Sequence, residues 1–231
     1  TARKRAERQL RQMAGRLLRL QDQERRVLGH ELHDTTAQGL AALEINLTAL
    51  RKLARHMPAK SRELLRDSVV LAARSAREIR TLSYTLRPPL LEEMGLSAAL
   101  RTHVRGFASR SGIKCRLTLP RKLGRLPADL ELALFRIVQE ALANVHRHAG
   151  SKVATIRLRQ NPRRLVLEIA DQGQGMPASA MENFLAAKAT LGIGLAGMRE
   201  RARQLGGDIV IRSTPGDTRV RAELPSTLLS P

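Results

Sequence analysis

A histidine, a carboxylate and an amide stand close together in the run E-R-R-V-L-G-H-E-L-H-D-T-T-A-Q, residues 24–38. The run has no proline and one glycine, and Val27, Leu28 and Leu32 recur at helical spacing, so it is expected to be a helix. His33 is then adjacent to Asp34, and Gln38, four residues beyond Asp34, shares its face. Neutral imidazole is a nucleophile near neutral pH, since its free pKa is about 6.5. One ring nitrogen must be free to attack. The other must keep its proton, and an adjacent carboxylate can hold that proton and offset the charge that develops. A surface histidine on a charged helix is the alternative reading of the same residues.

Zinc is a rival use of these letters. His30-Glu31 followed by His33 is similar to the metalloprotease helix motif, but that motif needs its second histidine where this chain has Asp34. No third ligand is evident.

The elements that must position these groups are mostly helical at first. Leu10, Met13, Leu17, Leu20, Glu24 and Val27 step by three and four, as do Leu40, Leu43, Leu47, Leu50, Ala54 and Met57. Such heptad seams predict one long helix over 3–57, roughly 80 Å long at about 1.5 Å per residue. It could not bury its apolar stripe alone, so a partner chain is implied. Between the seams, Leu28, Leu32, Thr36 and Leu40 step by four, a stutter at which supercoiling relaxes, and His33 lies inside it. This stutter is expected to let the helix bend. Pro58 ends the helix, Ser61 is the expected N-cap of a second helix to about Leu86, and Arg87-Pro88-Pro89 breaks that helix. A dimerising two-helix hairpin gives a four-helix bundle.

The second half mixes helix and strand. Helices are expected over 97–110, 127–148, 178–187 and 196–205, and strands over 113–119, 153–158, 165–170, 208–213 and 220–224. Asn161-Pro162 and Pro215-Gly216-Asp217 are expected turns. Hydrophobic residues make up 42% of the 231 and aromatics only 2%, so the core must be aliphatic. The apolar runs are too short to span a bilayer as helices. One cysteine, Cys115, cannot form an internal disulfide and fits a reducing cytoplasm. The net charge of +20 permits nucleic-acid binding, but the basic residues are spread along the chain and stacking aromatics are nearly absent. A solvated Arg-rich surface is the preferred reading, without direct nucleic-acid binding.

The run around His33 resembles the dimerisation and phosphoacceptor helix of two-component sensor histidine kinases, in the subfamily whose motif reads E-L-H-D. Three later motifs extend the resemblance, in the family order. Residues 139–149, Q-E-A-L-A-N-V-H-R-H-A, resemble the N-box of the ATPase fold shared with gyrase and Hsp90. Residues 171–176, D-Q-G-Q-G-M, resemble the G1 box, and residues 192–201, G-I-G-L-A-G-M-R-E-R, the G2 box.

The resemblance implies ATP and Mg²⁺ as cofactors. Asn144 would ligate Mg²⁺, Glu140 would order its water shell, and Arg147 or His148 would lie near phosphate. Asp171 would accept a hydrogen bond from the adenine amino group. Gly173 and Gly175 would let backbone approach the nucleotide, and Gly192, Gly194 and Leu195 would open a helix whose amides bind phosphate. The segment 177–191 would be a mobile ATP lid. H-D-x-x-x-Q resembles the subfamily pattern linked to dephosphorylating the partner regulator, with Gln38 orienting a water.

Three departures stand out. His30 takes a place where the subfamily usually has Arg. The loop S-T-P-G-D-T-R-V is short, leaving Thr218 as the match for a family threonine near adenine. No sensor domain is present, and the first helix begins abruptly, as in a cytoplasmic fragment of a longer receptor linked to a sensor and, in one arrangement, anchored at the inner membrane.

The fold expected is multidomain, α and α+β: a helical dimerisation and phosphotransfer domain over 1–86, a linker over 87–96, an α/β-sandwich ATPase domain over 97–226 and a tail over 227–231. The function expected is that of a homodimeric kinase core. It would phosphorylate itself on His33 and pass the phosphoryl group to a response-regulator receiver domain with a LuxR-type output. A phosphatase-dominant protein and a non-catalytic coiled-coil or nucleic-acid-binding module are the alternatives.

Overall fold

The structure is a computed structural model that describes residues 2–86, 89–161, 164–185 and 193–225. The expected break at Arg87-Pro88, Pro162 of the expected turn, residues 186–191 of the expected lid, Gly192 and the tail lie outside the described residues. The chain divides into two compact units, Arg19–Pro89 and a second that joins Thr1–Leu18 to Leu90–Pro231.

The long first helix forms, with one interruption. α1 (Ala2–Glu31) leads into a π-helical turn (Leu32–Ala37), then α2 (Gln38–Leu53) and a short 3₁₀ turn (Ala54–His56). The π turn falls where the apolar steps of four interrupt the heptads. The helix absorbs the mismatch by widening locally. α3 (Ala59–Leu86) returns alongside α2. It starts two residues before the expected cap: Pro58 offers its carbonyl to the Arg62 N–H at 3.1 Å, so Ser61 lies within the first turn instead of capping it. Small residues let the hairpin close, with Ala72 and Ala76 buried on α3. Ser83 Oγ donates to the Gly29 carbonyl at 2.9 Å, tying α3 to the turn just before the π segment. No residue of α2 is buried in the single chain, and Leu43, Leu50, Leu64, Leu71 and Leu82 are exposed. That exposed apolar surface is what the heptad seams anticipate.

The second unit is a sheet with helices packed on one face. α4 (Pro89–Ser111) comprises two helical stretches joined at Gly95, whose φ of 78° needs glycine. It begins earlier than the expected 97, because Leu91 and Leu96 on either side of the joint are both drawn into the core. β1 (Lys114–Thr118), α5 (Ala128–Asn144), a π turn (Val145–Ala149), β2 (Val153–Gln160), β3 (Arg164–Asp171), α6 (Ala178–Leu185), α7 (Ile193–Gln204), β4 (Asp208–Thr214) and β5 (Asp217–Pro225) follow. The strand order is β1-β2-β3-β5-β4, with β1 parallel to β2 and the other pairs antiparallel.

Alternation decides which sheet face is covered. Leu165, Leu167 and Ile169 of β3 and Ala154, Ile156 and Leu158 of β2 point into the core with Leu134, Ile137 and Leu142 of α5. On the opposite face Arg157, Glu168 and Arg221 share one row across β2, β3 and β5, with Arg157 and Glu168 3.6 Å apart. The core is aliphatic apart from Phe135 and Phe184, as composition requires. Glu131, 1% exposed, accepts the Leu126 N–H at 3.1 Å and meets Arg125 at 3.4 Å, so this buried carboxylate is paired. No helix of the described residues is long and apolar enough to cross a membrane.

His103 of α4 packs edge-on against Phe135, with ring centroids 5.2 Å apart, and its Nε2 finds no hydrogen-bond partner among the described residues. Burial, reinforced by Arg110 and Arg136, lowers its pKa to about 4. An unfolded histidine titrates near 6.5, so between those values the unfolded chain holds more protons than the folded one. Stability from this source is full above the unfolded value and is lost as pH falls toward the folded one, by at most roughly 3 kcal/mol. His103→Leu is expected to shrink the loss of stability between about pH 7 and about pH 5, read by urea unfolding. An equal loss in parent and variant would contradict this.

Candidate functional site

The phosphoacceptor candidates lie on the first unit's interrupted helix. His33 and Asp34 fall within the π turn Leu32–Ala37, and Gln38 is the first residue of α2. A π turn inside an α-helix shifts the hydrogen bonding to i→i+5 and is frequent at functional sites. Asp34 is held by its own helix. His30 Nδ1 lies 2.8 Å from Asp34 Oδ2, an i to i+4 pair bridging the last turn of α1 and the π turn, with side chains 61% and 46% exposed. Gln38 is exposed.

The second set converges at one end of the sheet in the other unit. α5 carries Glu140 and ends on Asn144, one turn further along, and both are partly buried. Arg147 and His148 are exposed on the π turn that follows, which Gly150 closes with φ 64°. α7 begins against this helix: a Cβ on Gly194 would overlap the Glu140 carboxylate, so a side chain there would make Glu140 turn away from its present place. Leu195 beside it packs on the core.

β3 delivers Asp171 to the same place. Its side chain is 7% exposed, and Oδ1 accepts the Gly173 N–H at 2.9 Å. Burial raises the carboxyl pKa, the Gly173 N–H opposes the rise, and Asp217 adds to it. Asp171 pairs with Thr218 across β3 and β5, and Thr218 is buried as well. Thr218 Oγ1 and Ser213 Oγ are 2.8 Å apart, and Ser213 Oγ accepts the Met176 N–H at 2.8 Å.

The loop after β3 is fixed on two sides. A Cβ on Gly173 would overlap the Ala149 carbonyl, while the Gln174 N–H donates to that carbonyl at 2.9 Å and Gln174 Nε2 donates to the His148 carbonyl at 2.7 Å. On the other side the Gly216 N–H donates to the Gly173 carbonyl at 2.7 Å, and Gly175, with φ 85°, lies against Thr214. α6, the described start of the expected lid, is held down: Phe184 is buried, the Arg199 guanidinium stacks 4.8 Å above its ring, and Arg199 Nη1 donates to its carbonyl at 2.8 Å.

Glu140, Asn144, Asp171, Gly173, Gly175, Gly194 and Thr218 are therefore carried by elements that meet at one end of the second unit. Sequence reasoning missed Ser213, Ser151 and Asp217. Ser151 Oγ accepts the Gln172 N–H at 3.1 Å, and Asp217 acts on Asp171 across the sheet. Ser213 and Asp217 fall in the short loop S-T-P-G-D-T-R-V, where only Thr218 was singled out, and Ser151 lies in no motif.

A partly buried amide and carboxylate one helical turn apart are hard oxygen donors of the kind Mg²⁺ takes when phosphate supplies its other ligands. Among the described residues no group of three His, Cys, Asp or Glu could hold a metal ion.

Comparison with known proteins agrees with both halves. Residues 24–91 match the family described as histidine kinase, and residues 129–228 the histidine kinase-, DNA gyrase B- and HSP90-like ATPase family. The chain belongs to the histidine kinases that join these two domains. It is 32% identical over 231 residues to the sensor histidine kinase MctS of Rhizobium johnstonii, covering 99% of this chain and 49% of that protein. It is 30% identical to the histidine-protein kinase/phosphatase DegS of Brevibacillus brevis, covering 91% of this chain and 53% of that one. The chain thus spans about half the length of these curated relatives. Among solved structures, the histidine kinase domain of the Erythrobacter litoralis EL346 blue-light activated kinase shares the fold with a TM-score of 0.52 at 15% identity, covering 83% of this chain and 97% of that one.

Burying the Asp171 carboxylate costs stability that the Gly173 N–H offsets only in part. Asp171→Asn is expected to raise the melting temperature of the nucleotide-free protein and to weaken ATP binding at least tenfold, read by thermal unfolding and calorimetric titration. A variant that binds ATP like the parent would refute the assignment.

Proposed function

We propose that the chain is the catalytic core of a sensor histidine kinase, which phosphorylates His33 from ATP and passes the phosphoryl group to an aspartate of a response regulator. The observation that carries the ATP half is the buried Asp171, register-paired with Thr218, at the end of the sheet where backbones approach through Gly173 and Gly194. A buried carboxylate with one oxygen satisfied by its own loop has the other available to an exocyclic amine, and adenine presents one. The glycines draw these elements together, and the backbone amides at the start of α7 would meet phosphate oxygens.

The chemistry divides among the chain's own residues. An imidazole nitrogen of His33 attacks the γ-phosphorus, the bond from that phosphorus to the bridging oxygen breaks, and ADP leaves. Asp34 holds the proton on the other ring nitrogen and offsets the imidazolium charge. Asn144 and Glu140 would hold Mg²⁺, which when bound neutralises the phosphate charge that builds up in transfer. Arg147 or His148 would add positive charge near the phosphates. The protein's contribution is chiefly positioning and charge neutralisation.

We further propose a homodimer through the exposed apolar seams of α1, α2 and α3, and a domain joint within 87–96. The regulator would carry a LuxR-type output, and the whole protein would continue into a sensor domain. A phosphatase role toward the phosphorylated regulator is favoured by two relatives named kinase/phosphatase, DegS of Brevibacillus brevis and UhpB of Salmonella typhimurium, and by Gln38 one turn beyond Asp34.

Incubation with γ-labelled ATP and Mg²⁺ is expected to give acid-labile, alkali-stable label that is absent from His33→Gln and reduced at least a hundredfold in Asn144→Ala. Label persisting in His33→Gln would assign another acceptor. ATP binding without label in the parent would instead favour the phosphatase role.

A further inference from the structure

The pair between His30 and Asp34 is a contact that the kinase chemistry does not by itself require. His30 Nδ1 and Asp34 Oδ2 are 2.8 Å apart, and an ionised carboxylate only accepts, so Nδ1 carries the hydrogen in this contact. The contact links the last turn of α1 to the π turn that holds His33.

Asp34 is 46% exposed. A carboxylate that open would otherwise turn among rotamers and share its oxygens with water. A single donor on Oδ2 restricts that rotation and leaves Oδ1 to serve a second imidazole. His30 is well placed for this because residues four apart stand one above the other on a helix, and side chains lean toward its N-terminus. As a stabilising ion pair the contact is worth little at this exposure. Its value lies in where it points the carboxylate.

We propose that His30 is a positioning residue for the phosphoryl-transfer step, holding Asp34 through Oδ2 so that the remaining oxygen can hold the proton on His33. The inference rests on the proposed transfer to His33. It assigns to His30 no contact with ATP or with the reacting phosphorus.

The test is a double-mutant cycle on the full chain, with autophosphorylation rate and the KM for ATP read separately. His30→Ala is expected to lower the rate about tenfold with KM unchanged. His30→Gln, whose amide can donate to the same oxygen, should recover most of that rate. In an Asp34→Asn background, His30→Ala should cost almost nothing further, because the group it positions is gone. Three results would each overturn the proposal: a parent-like rate in His30→Ala, a loss equally large in the Asp34→Asn background, or a rise in KM that accounts for the loss. A parent that takes no label at His33 overturns the proposed function itself, which is a separate outcome.

Discussion

Backbone approaching backbone and side chain, at distances a Cβ would overlap, is the constraint on which the second unit depends. Gly173 lies against the Ala149 carbonyl, and Gly194 against the Glu140 carboxylate. Through these two contacts the loop after β3, the end of α5 and the start of α7 share one small volume, and their polar groups converge. The hydrogen bonds follow the approach. The Gln174 N–H reaches Ala149, the Gly216 N–H reaches Gly173, and Asp171 can accept from its own loop while staying buried. A side chain at Gly173 would push its loop off the Ala149 backbone and disturb the bonds that hold Asp171, while one at Gly194 would displace the Glu140 carboxylate.

A second theme joins the two units by chemistry. The segment holding His33 and the segment holding Arg147 and His148 are both π turns appended to α-helices. A π turn leaves backbone hydrogen bonding less regular than an α-helix and rotates the following side chains relative to the preceding ones. In α5 the change of phase keeps Val145 buried while Arg147 and His148 face solvent. In the first helix it reconciles two heptad registers that do not join.

The ease of reading these features from the sequence differed for physical reasons. Local pattern fixes the helices and strands, because apolar period and turn residues are local: β3 extends one residue beyond the expected strand at each end, and α5 with its π turn covers 128–149 against the expected 127–148. Asn144, Asp171 and the glycines were legible because their types and order are distinctive. Thr218 was the loosest match, and its place opposite Asp171 depends on the pairing of β3 with β5, which linear spacing does not reveal. Ser213 and Ser151 were invisible for the same reason. Both act through long-range contacts with loops. The Ser61 cap failed because the carbonyl of Pro58 already serves the first turn. The stutter signalled that the helix would change near His33, but not that it would widen into a π turn.

The central claim is that close backbone approach builds the nucleotide cleft. Calorimetric titration of ATP into Gly173→Ala, with circular dichroism and thermal unfolding beside it, tests it most directly. The account predicts that the sheet and helices persist while ATP affinity falls by about two orders of magnitude, since the added methyl displaces the loop that carries Asp171 from the end of α5. A folded Gly173→Ala that binds ATP with the parent's affinity would contradict it.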